Sequence, residues 1–472
     1  MKKSFLLLVC SIGAFSVNAQ KDIVGNWKGI ADVMGQKLKA AFHVKKDNGQ
    51  FNATFDSPDQ GALGLECGKV SFINDSLFIE IKSIGGSYIG KWNKADEISG
   101  NLLQGAGKFP LALQRAADGD VSAKPQTPRP PFNYSIEEVE YENKEQQVHL
   151  GATLTKPNGN GKFPVVIMIT GSGQQDRDES IGLHKPFWVI ADFLTKQGIA
   201  VLRVDDRGRG KSTGNFHRSS SADFATDVMA GIDYLKSRPD IDKNHIGLMG
   251  HSEGGIIAPY VAARSKDIDF IVTLAGPIIG GKATNDFQNT LPMINHGIAK
   301  IAVDSFLSLH HALVDAAISI KNDSVFKQEI KSRYLGWKSF QSETTLQTLI
   351  KGKDEQVIKS FQKSYGDLRN PWWQFFLSYD PSVDVQKLNC SVLVLNGEKD
   401  AQVESKTNLA LFEKSLKKSG NKKYKIIEVP SVNHLFQHCK ECGSIQEYLA
   451  LDETFDTATL AVIANWINET VK

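Results

Sequence analysis

Gly250-His251-Ser252-Glu253-Gly254 lies between two apolar runs, Ile246-Gly247-Leu248-Met249 and Ile256-Ile257-Ala258. A serine with glycines two residues before and two after, between a strand-like run and a helix-like run, suits a sharp turn that lifts its hydroxyl clear of the backbone. A serine hydroxyl is a weak nucleophile by itself. It needs an imidazole to take its proton and a carboxylate to hold that imidazole in one tautomer. Both residue types follow in the chain. Val392-Leu393-Val394-Leu395 runs into Asn396-Gly397-Glu398-Lys399-Asp400, and Lys425-Ile426-Ile427-Glu428-Val429 runs into Pro430-Ser431-Val432-Asn433-His434. Ser252, Asp400 and His434 each stand just past an apolar strand, where a parallel sheet collects its reactive groups. The chemistry expected of them is acyl transfer through a covalent intermediate.

An anionic tetrahedral intermediate needs hydrogen-bond donors aimed at its oxygen. Phe163-Pro164-Val165-Val166-Ile167-Met168-Ile169-Thr170 reads as a buried strand running into Gly171-Ser172-Gly173. Backbone N–H groups of Ser172 and Glu253 are the expected donors, with Gly173 as the alternative to Ser172. The next strand, Ile199 to Val204, ends in Asp205-Asp206-Arg207-Gly208-Arg209-Gly210-Lys211-Ser212. Gly210-Lys211-Ser212 has the tail of a phosphate-binding loop. That motif requires a glycine five residues before Gly210, where Asp205 stands, so phosphate binding is not expected.

Together, Thr170-Gly171-Ser172-Gly173-Gln174-Gln175-Asp176-Arg177-Asp178, Gly250 to Gly254, Asn396 to Asp400 and Asn433-His434-Leu435-Phe436-Gln437 resemble the serine α/β-hydrolases. The combination is most similar to bacterial secreted esterases, related to the prolyl-oligopeptidase group, that carry an extra β-rich N-terminal domain. The resemblance covers residues from about 133 to 472. It implies hydrolysis of small-molecule carboxylic esters through a Ser252-His434-Asp400 triad, with no metal or organic cofactor; it does not settle the acyl chain, for which short-chain acyl esters are the expectation. The Asp205 to Ser212 segment resembles the D-x-R-G-x-G-x-S loop of the superfamily, which is usually structural. A peptidase, amidase or thioesterase with the same triad is the alternative. Prolyl peptidases of this group usually carry a large propeller, which roughly a hundred β-rich residues cannot build. A non-catalytic binding protein on a hydrolase scaffold is a third reading, and three complete triad residues argue against it.

The positioning elements follow from periodicity. Strands at Glu137 to Tyr141 and Val148 to Leu154 open the hydrolase domain, 133–472, before buried strands and helices alternate. That alternation predicts a mostly parallel sheet with helices on both faces, an α/β class fold. The interval 277–388 interrupts it with helix-like runs, Ile301 to Ile320 and Glu355 to Ser364, and reads as a cap inserted over the site. Trp372, Trp373, Phe375 and Phe376 cluster at its exit, either as cap core or as substrate wall. Between residues 20 and 117, short segments of period two joined by Asp47-Asn48-Gly49 and Asn74-Asp75-Ser76 predict antiparallel hairpins forming a small barrel or sandwich. Gly25-Asn26-Trp27 faintly resembles the opening of lipocalin-like barrels, and Trp27 and Trp92 are expected in the core. The ligand or partner of this domain stays open. Pro125, Pro128, Pro130 and Pro131 mark a linker, 118–132.

Lys2-Lys3, an apolar run from Phe5 to Phe15, and Val17-Asn18-Ala19 describe a cleavable signal peptide over residues 1–19, hence a secreted or periplasmic protein. No other stretch reads as a membrane span, so no stable membrane insertion is expected. The 55 basic and 53 acidic residues nearly cancel, and the leader removes Lys2 and Lys3. Such balance offers nucleic acid no electrostatic footing. Cys67, Cys390, Cys439 and Cys442 remain. Cys439-Lys440-Glu441-Cys442 reads as a local disulfide, with two free thiols as the alternative; a zinc site would need a second C-x-x-C.

Overall fold

The computed structural model of the chain describes residues 22–33, 35–60, 62–94, 96–116 and 124–472. The expected signal peptide and the first half of the expected linker lie outside the described residues. The chain divides into two units, Met1–Ser122 and Ala123–Lys472.

In the first unit, alternating apolar residues make nine strands: β1 (Gly25–Val33), β2 (Gln36–Asp47), β3 (Gln50–Ser57), β4 (Ala62–Glu66), β5 (Val70–Ile73), β6 (Ser76–Ile81), β7 (Gly86–Lys94), β8 (Glu97–Gln104) and β9 (Gly107–Ala116). They form one antiparallel sheet in the order β4-β3-β2-β1-β9-β8-β7-β6-β5. Phe42 on β2 packs against Tyr88 on β7 with ring centroids 5.4 Å apart, although three strands separate β2 from β7. The sheet therefore curls onto its own apolar face, closer to a barrel than to a sandwich. Side chains fill that interior. Trp27 meets Trp92 edge-on at 5.3 Å, and its indole N–H donates to the Ile23 carbonyl at 2.9 Å, so both tryptophans belong to the core.

The second unit adds β10 (Tyr134–Asn143), β11 (Val148–Pro157), β12 (Phe163–Ile169), β13 (Ala200–Val204), β14 (Ile241–His251), β15 (Phe270–Leu274), β16 (Ser391–Gly397) and β17 (Tyr424–Val429). Their order is β10-β11-β13-β12-β14-β15-β16-β17. The first two strands run antiparallel and β12 to β17 are mutually parallel. Every residue of β15 is buried, as a strand covered on both faces demands. Helices α1 (Pro186–Lys196) and α13 (Thr457–Thr470) bury their apolar stripes against one face. Helices α2 (Ser221–Ser237), α3 (Gly254–Ala262) and α11 (Ser405–Ser419) cover the other.

Between β15 and β16 the chain forms α4 (Gly281–Asn295), α5 (Lys300–Ser319), α6 (Asp323–Ser339), α7 (Glu343–Leu349), α8 (Asp354–Asp367), α9 (Pro371–Ser378) and α10 (Ser382–Val385). This helical insertion has its own core of Leu313, Phe326, Ile330 and Tyr334, joined by Ile256 of α3. Helix α5 is long and apolar enough to cross a membrane, contrary to the expectation that no stretch beyond the leader is. Its Leu309, Leu313, Val314 and Ala317 are buried in the cap core. A short helix, α12 (Ile445–Ala450), follows β17. The second half of the expected linker is docked rather than free. Lys124 Nζ donates to the carbonyls of Leu449 and Leu451 at 2.7 and 2.6 Å, and Gln126 Nε2 donates to the Phe455 carbonyl at 2.7 Å.

Candidate active site

Ser252 sits between the end of β14 and the start of α3 with φ +50°. A left-handed residue with a Cβ costs roughly 1–2 kcal/mol and persists only where its surroundings hold it. Here bare backbone does so. A Cβ on Gly250 would lie 1.9 Å from the Gly254 carbonyl oxygen, and one on Gly254 would lie 2.1 Å from that of Ile169. Strand, helix and the end of β12 thus touch through glycine alone. The Ser252 N–H donates to the Leu274 carbonyl at 2.8 Å, fixing the turn to β15.

Asp400 lies past β16 and His434 past β17, and they meet: His434 Nδ1 is 2.8 Å from Asp400 Oδ2. The carboxylate is fully committed. Its Oδ1 accepts from the N–H groups of Gln402 and Val403 at 2.8 and 2.9 Å, and Oδ2 also accepts from Asn396 Nδ2 at 3.1 Å. A carboxylate accepting that many bonds takes the Nδ1–H of His434 as donor, which leaves the lone pair on Nε2. His434 is 3 % exposed. Its loop is stiff: Asn433 Oδ1 accepts from the N–H groups of Leu435 and Gln437 at 2.9 and 3.0 Å. Cys439 and Cys442 form a disulfide just beyond it. Glu447 caps the same turn, accepting from the N–H groups of Lys440 and Cys442. Cys67 and Cys390 are free; burial pushes their thiols up to about 11 and about 12, so neither is a ready nucleophile.

Of the expected oxyanion donors, Ser172 is exposed in the loop after β12 and Glu253 stands at the N-terminus of α3. Among the described residues, neither backbone N–H has an acceptor in the protein. The Gly171 N–H is not available, since it donates to Glu179 Oε1 at 2.6 Å.

Glu253 has a buried side chain whose Oε1 accepts from Ser221 Oγ at 2.6 Å and from Trp372 Nε1 at 2.7 Å. The second bond ties α9 of the cap to the residue after Ser252. Trp372 therefore combines cap packing, stacked on Phe376 at 5.1 Å, with a direct link to the elbow. Phe376 is cap core, and Phe375 stacks on Tyr379 at 4.9 Å.

The segment after β13 braces the site. Arg177 pairs with Asp205 at 2.5 Å, Ser212 Oγ donates to the Asp205 carbonyl at 2.8 Å, and Arg207 pairs with Asp227 at 2.5 Å. Asp206 accepts from Thr170 Oγ1 and the Gln175 N–H, both at 2.7 Å. Asp206 and Glu253 line a cavity of about 50 Å³ with Thr170, Gly171, Phe216 and Phe224.

Burial pushes the Glu253 carboxyl up to about 7 and that of Asp206 up to about 8. Between the unfolded value of Glu253 and about pH 7, the native state keeps a proton that the unfolded chain has lost, so stability falls as pH rises through that window. Glu253→Gln keeps an acceptor for Ser221 and Trp372 but does not titrate. Its stability relative to wild type is expected to rise from about pH 5 to about pH 8.5, reaching a gain of about 3 kcal/mol. A thermal-unfolding series across that range checks it; a difference independent of pH would contradict the assignment.

Two residues of the site escaped sequence reasoning. His251 Nδ1 is 3.0 Å from Glu179 Oε1, and His251 Nε2 is 3.0 Å from the backbone carbonyl of His434. His251 stood inside the serine motif, but nothing in its spacing paired it with Glu179. His438, Glu453 and Asp456 bring potential metal-ligand atoms within 4.8 Å of one another. Asp456 already caps α13 through the N–H groups of Ala458 and Thr459, which accounts for it without an ion.

A serine on a strained strand-to-helix turn, ahead of a buried histidine–carboxylate pair at the carboxyl ends of a parallel sheet, defines a serine α/β-hydrolase. Residues 146–435 match the family described as X-Pro dipeptidyl-peptidase (S15 family), and the chain belongs to it. It is also similar to esterase EstD of Thermotoga maritima, 27% identical over 333 residues that cover 70% of this chain and 69% of that protein. The putative hydrolase YtaP of Bacillus subtilis is 25% identical over 174 residues, 30% of this chain and 58% of its own. Among solved structures, the Pyrococcus furiosus esterase Pf2001 aligns with 74% of this chain and 97% of its own at 16% identity and a TM-score of 0.44.

Proposed function

We propose that the protein is a secreted or periplasmic carboxylesterase that cleaves short-chain acyl esters. The buried His434–Asp400 bond beyond the strained serine turn carries this reading. Ser252 Oγ attacks the ester carbonyl while His434 Nε2 takes its proton, and Asp400 stabilises the imidazolium. The backbone N–H groups of Ser172 and Glu253 receive the oxyanion. His434 returns the proton to the departing alcohol, leaving an acyl-serine. Water, deprotonated by the same nitrogen, then releases the acid and restores Ser252. Similarity to an esterase over 70% of the chain supports an ester as substrate. The bond from Trp372 to Glu253 holds the cap near the elbow. The leader-like residues 1–19 and the Cys439–Cys442 disulfide both suit an oxidising compartment.

The family match favours a second reading, cleavage after an X-Pro dipeptide. A series of p-nitrophenyl esters from acetate to palmitate, run beside an X-Pro p-nitroanilide, separates the two. The esterase reading expects the highest kcat/KM on acetate or butyrate. Preferential cleavage of the anilide would replace it with the peptidase. Growth of the cells followed by fractionation tests the location: retention of the full-length chain in the cytoplasm would refute export.

A further inference from the structure

Three separate pieces of the site converge on one buried pair. His251, at the end of β14, sits directly before Ser252 and is 7% exposed; Glu179, in the loop before α1, is 2% exposed. One oxygen of Glu179, Oε1, accepts from the Gly171 N–H at 2.6 Å and contacts His251 Nδ1 at 3.0 Å. The other ring nitrogen of His251, Nε2, reaches the backbone carbonyl of His434 at 3.0 Å. The chain of contacts therefore runs from the loop that offers Ser172, through the elbow strand, to the loop that offers His434.

The protonation of His251 follows from its partners. A backbone carbonyl only accepts, so Nε2 must carry a hydrogen. Glu179 as an ionised carboxylate can only accept, from Gly171 and from His251 alike, so opposite it Nδ1 donates as well. An imidazole that donates from both nitrogens is a cation. We infer that His251 and Glu179 form a buried imidazolium–carboxylate pair that acts as the positioning unit for the catalytic machinery, clamping the Gly171 loop and the His434 loop to the nucleophile elbow. This inference rests on the triad reading of Ser252, Asp400 and His434.

The surroundings support the charge. Burial opposes it, but the Glu179 carboxylate, the bonds to Glu179 and to the His434 carbonyl, and the Asp400 charge together raise the His251 pKa above its ordinary value. The charged and titratable groups facing His251 are Glu179, Asp400 and His434, whose ring centroid is 4.8 Å away. Its remaining neighbours around a small cavity, Phe187, Ile190, Leu274, Leu435 and Phe455, are apolar and keep the pair dry. Geometry also leaves little slack. A Cβ added at Gly171 would lie 3.1 Å from Glu179 Oε1, 3.2 Å from Ser252 Cβ and 3.4 Å from His251 Nδ1. A shift of the pair thus moves the loop against the nucleophile.

His251→Gln can supply one of the two donors and no charge. Misplacing reacting groups by an ångström costs about 100-fold, so His251→Gln is expected to lower kcat on p-nitrophenyl acetate by about 100-fold with KM changed by no more than about twofold. Glu179→Gln should fall into the same range, and the double variant should be no worse than either single one, since both break one unit. Nitrogen NMR of full-length wild-type protein labelled at its histidine rings needs no variant to fold. One histidine should keep both ring nitrogens protonated after the exposed histidines have lost their second proton, and its signals should vanish in His251→Gln. A His251 ring that loses its second proton together with the exposed histidines, or a His251→Gln enzyme with wild-type kcat, would overturn the inference. Ser252→Ala, assayed in parallel, reports on the triad separately, because it removes the nucleophile and leaves the His251–Glu179 pair in place.

Discussion

Ser252→Ala is expected to lower kcat on p-nitrophenyl acetate by about a million-fold and to leave the unfolding temperature nearly unchanged. The loss is large because Ser252 Oγ is the atom that forms the covalent bond, and His434 and Asp400 have no function in its absence. The stability is spared because alanine, like serine, carries a Cβ at φ +50° and the Ser252 N–H keeps its bond to Leu274. What activity remains would come from the Ser172 and Glu253 amides acting on a bound ester with water as nucleophile. Steady-state kinetics with a thermal melt of both proteins measure the two quantities. A variant within tenfold of wild type would mean that another residue attacks the substrate.

The second large effect belongs to Asp400→Asn. The wild-type carboxylate accepts from Gln402, Val403, Asn396 and His434. An asparagine offers one accepting oxygen and one donating nitrogen in the same place. With its oxygen kept on the Gln402 and Val403 N–H groups, its NH₂ points at His434 Nδ1 and forces that nitrogen to accept. The proton then moves to Nε2, the nitrogen that must receive the serine proton. A drop of about ten-thousand-fold in kcat with substrate binding intact is the expected result. The alternative orientation sets the NH₂ against two N–H donors in a buried site, and should appear as a fall in unfolding temperature by several degrees. A hundredfold loss or less, without destabilisation, would show that Asp400 does not set the tautomer.

The parts of this architecture that were legible in the sequence are those where burial writes a pattern. Ile246 to Met249 and Val392 to Leu395 are continuous apolar runs because helices cover both faces of β14 and β16. Ser252 and Asp400 stand just past such runs and His434 just past the edge strand β17, so the three could be read in chain order. The cap showed as a loss of that alternation, and the hairpins of the first unit as period-two segments between Asn and Asp turns. Pairings between distant side chains left no such trace. His251 and Glu179 are 72 residues apart, and Trp372 and Glu253 are 119 apart. Neither pair sits on a shared periodicity, and a glutamate one residue beyond Asp178 looks like any loop carboxylate. Lys124 likewise read as a linker residue, because the carbonyls that bind its ammonium lie 325 and 327 residues further on. The curl of the nine-stranded sheet was hidden for a related reason. Alternation tells which face of each strand is buried, and not whether that face closes on itself or on a second sheet.

The central claim is that Ser252 is a nucleophile activated by the His434–Asp400 pair. Labelling of the full-length protein with a fluorophosphonate, followed by peptide mass spectrometry, tests it most directly. The expected result is one stoichiometric adduct on the peptide bearing Ser252, absent in Ser252→Ala and greatly slowed in Asp400→Asn. An unlabelled protein, or an adduct on any other serine, would contradict it.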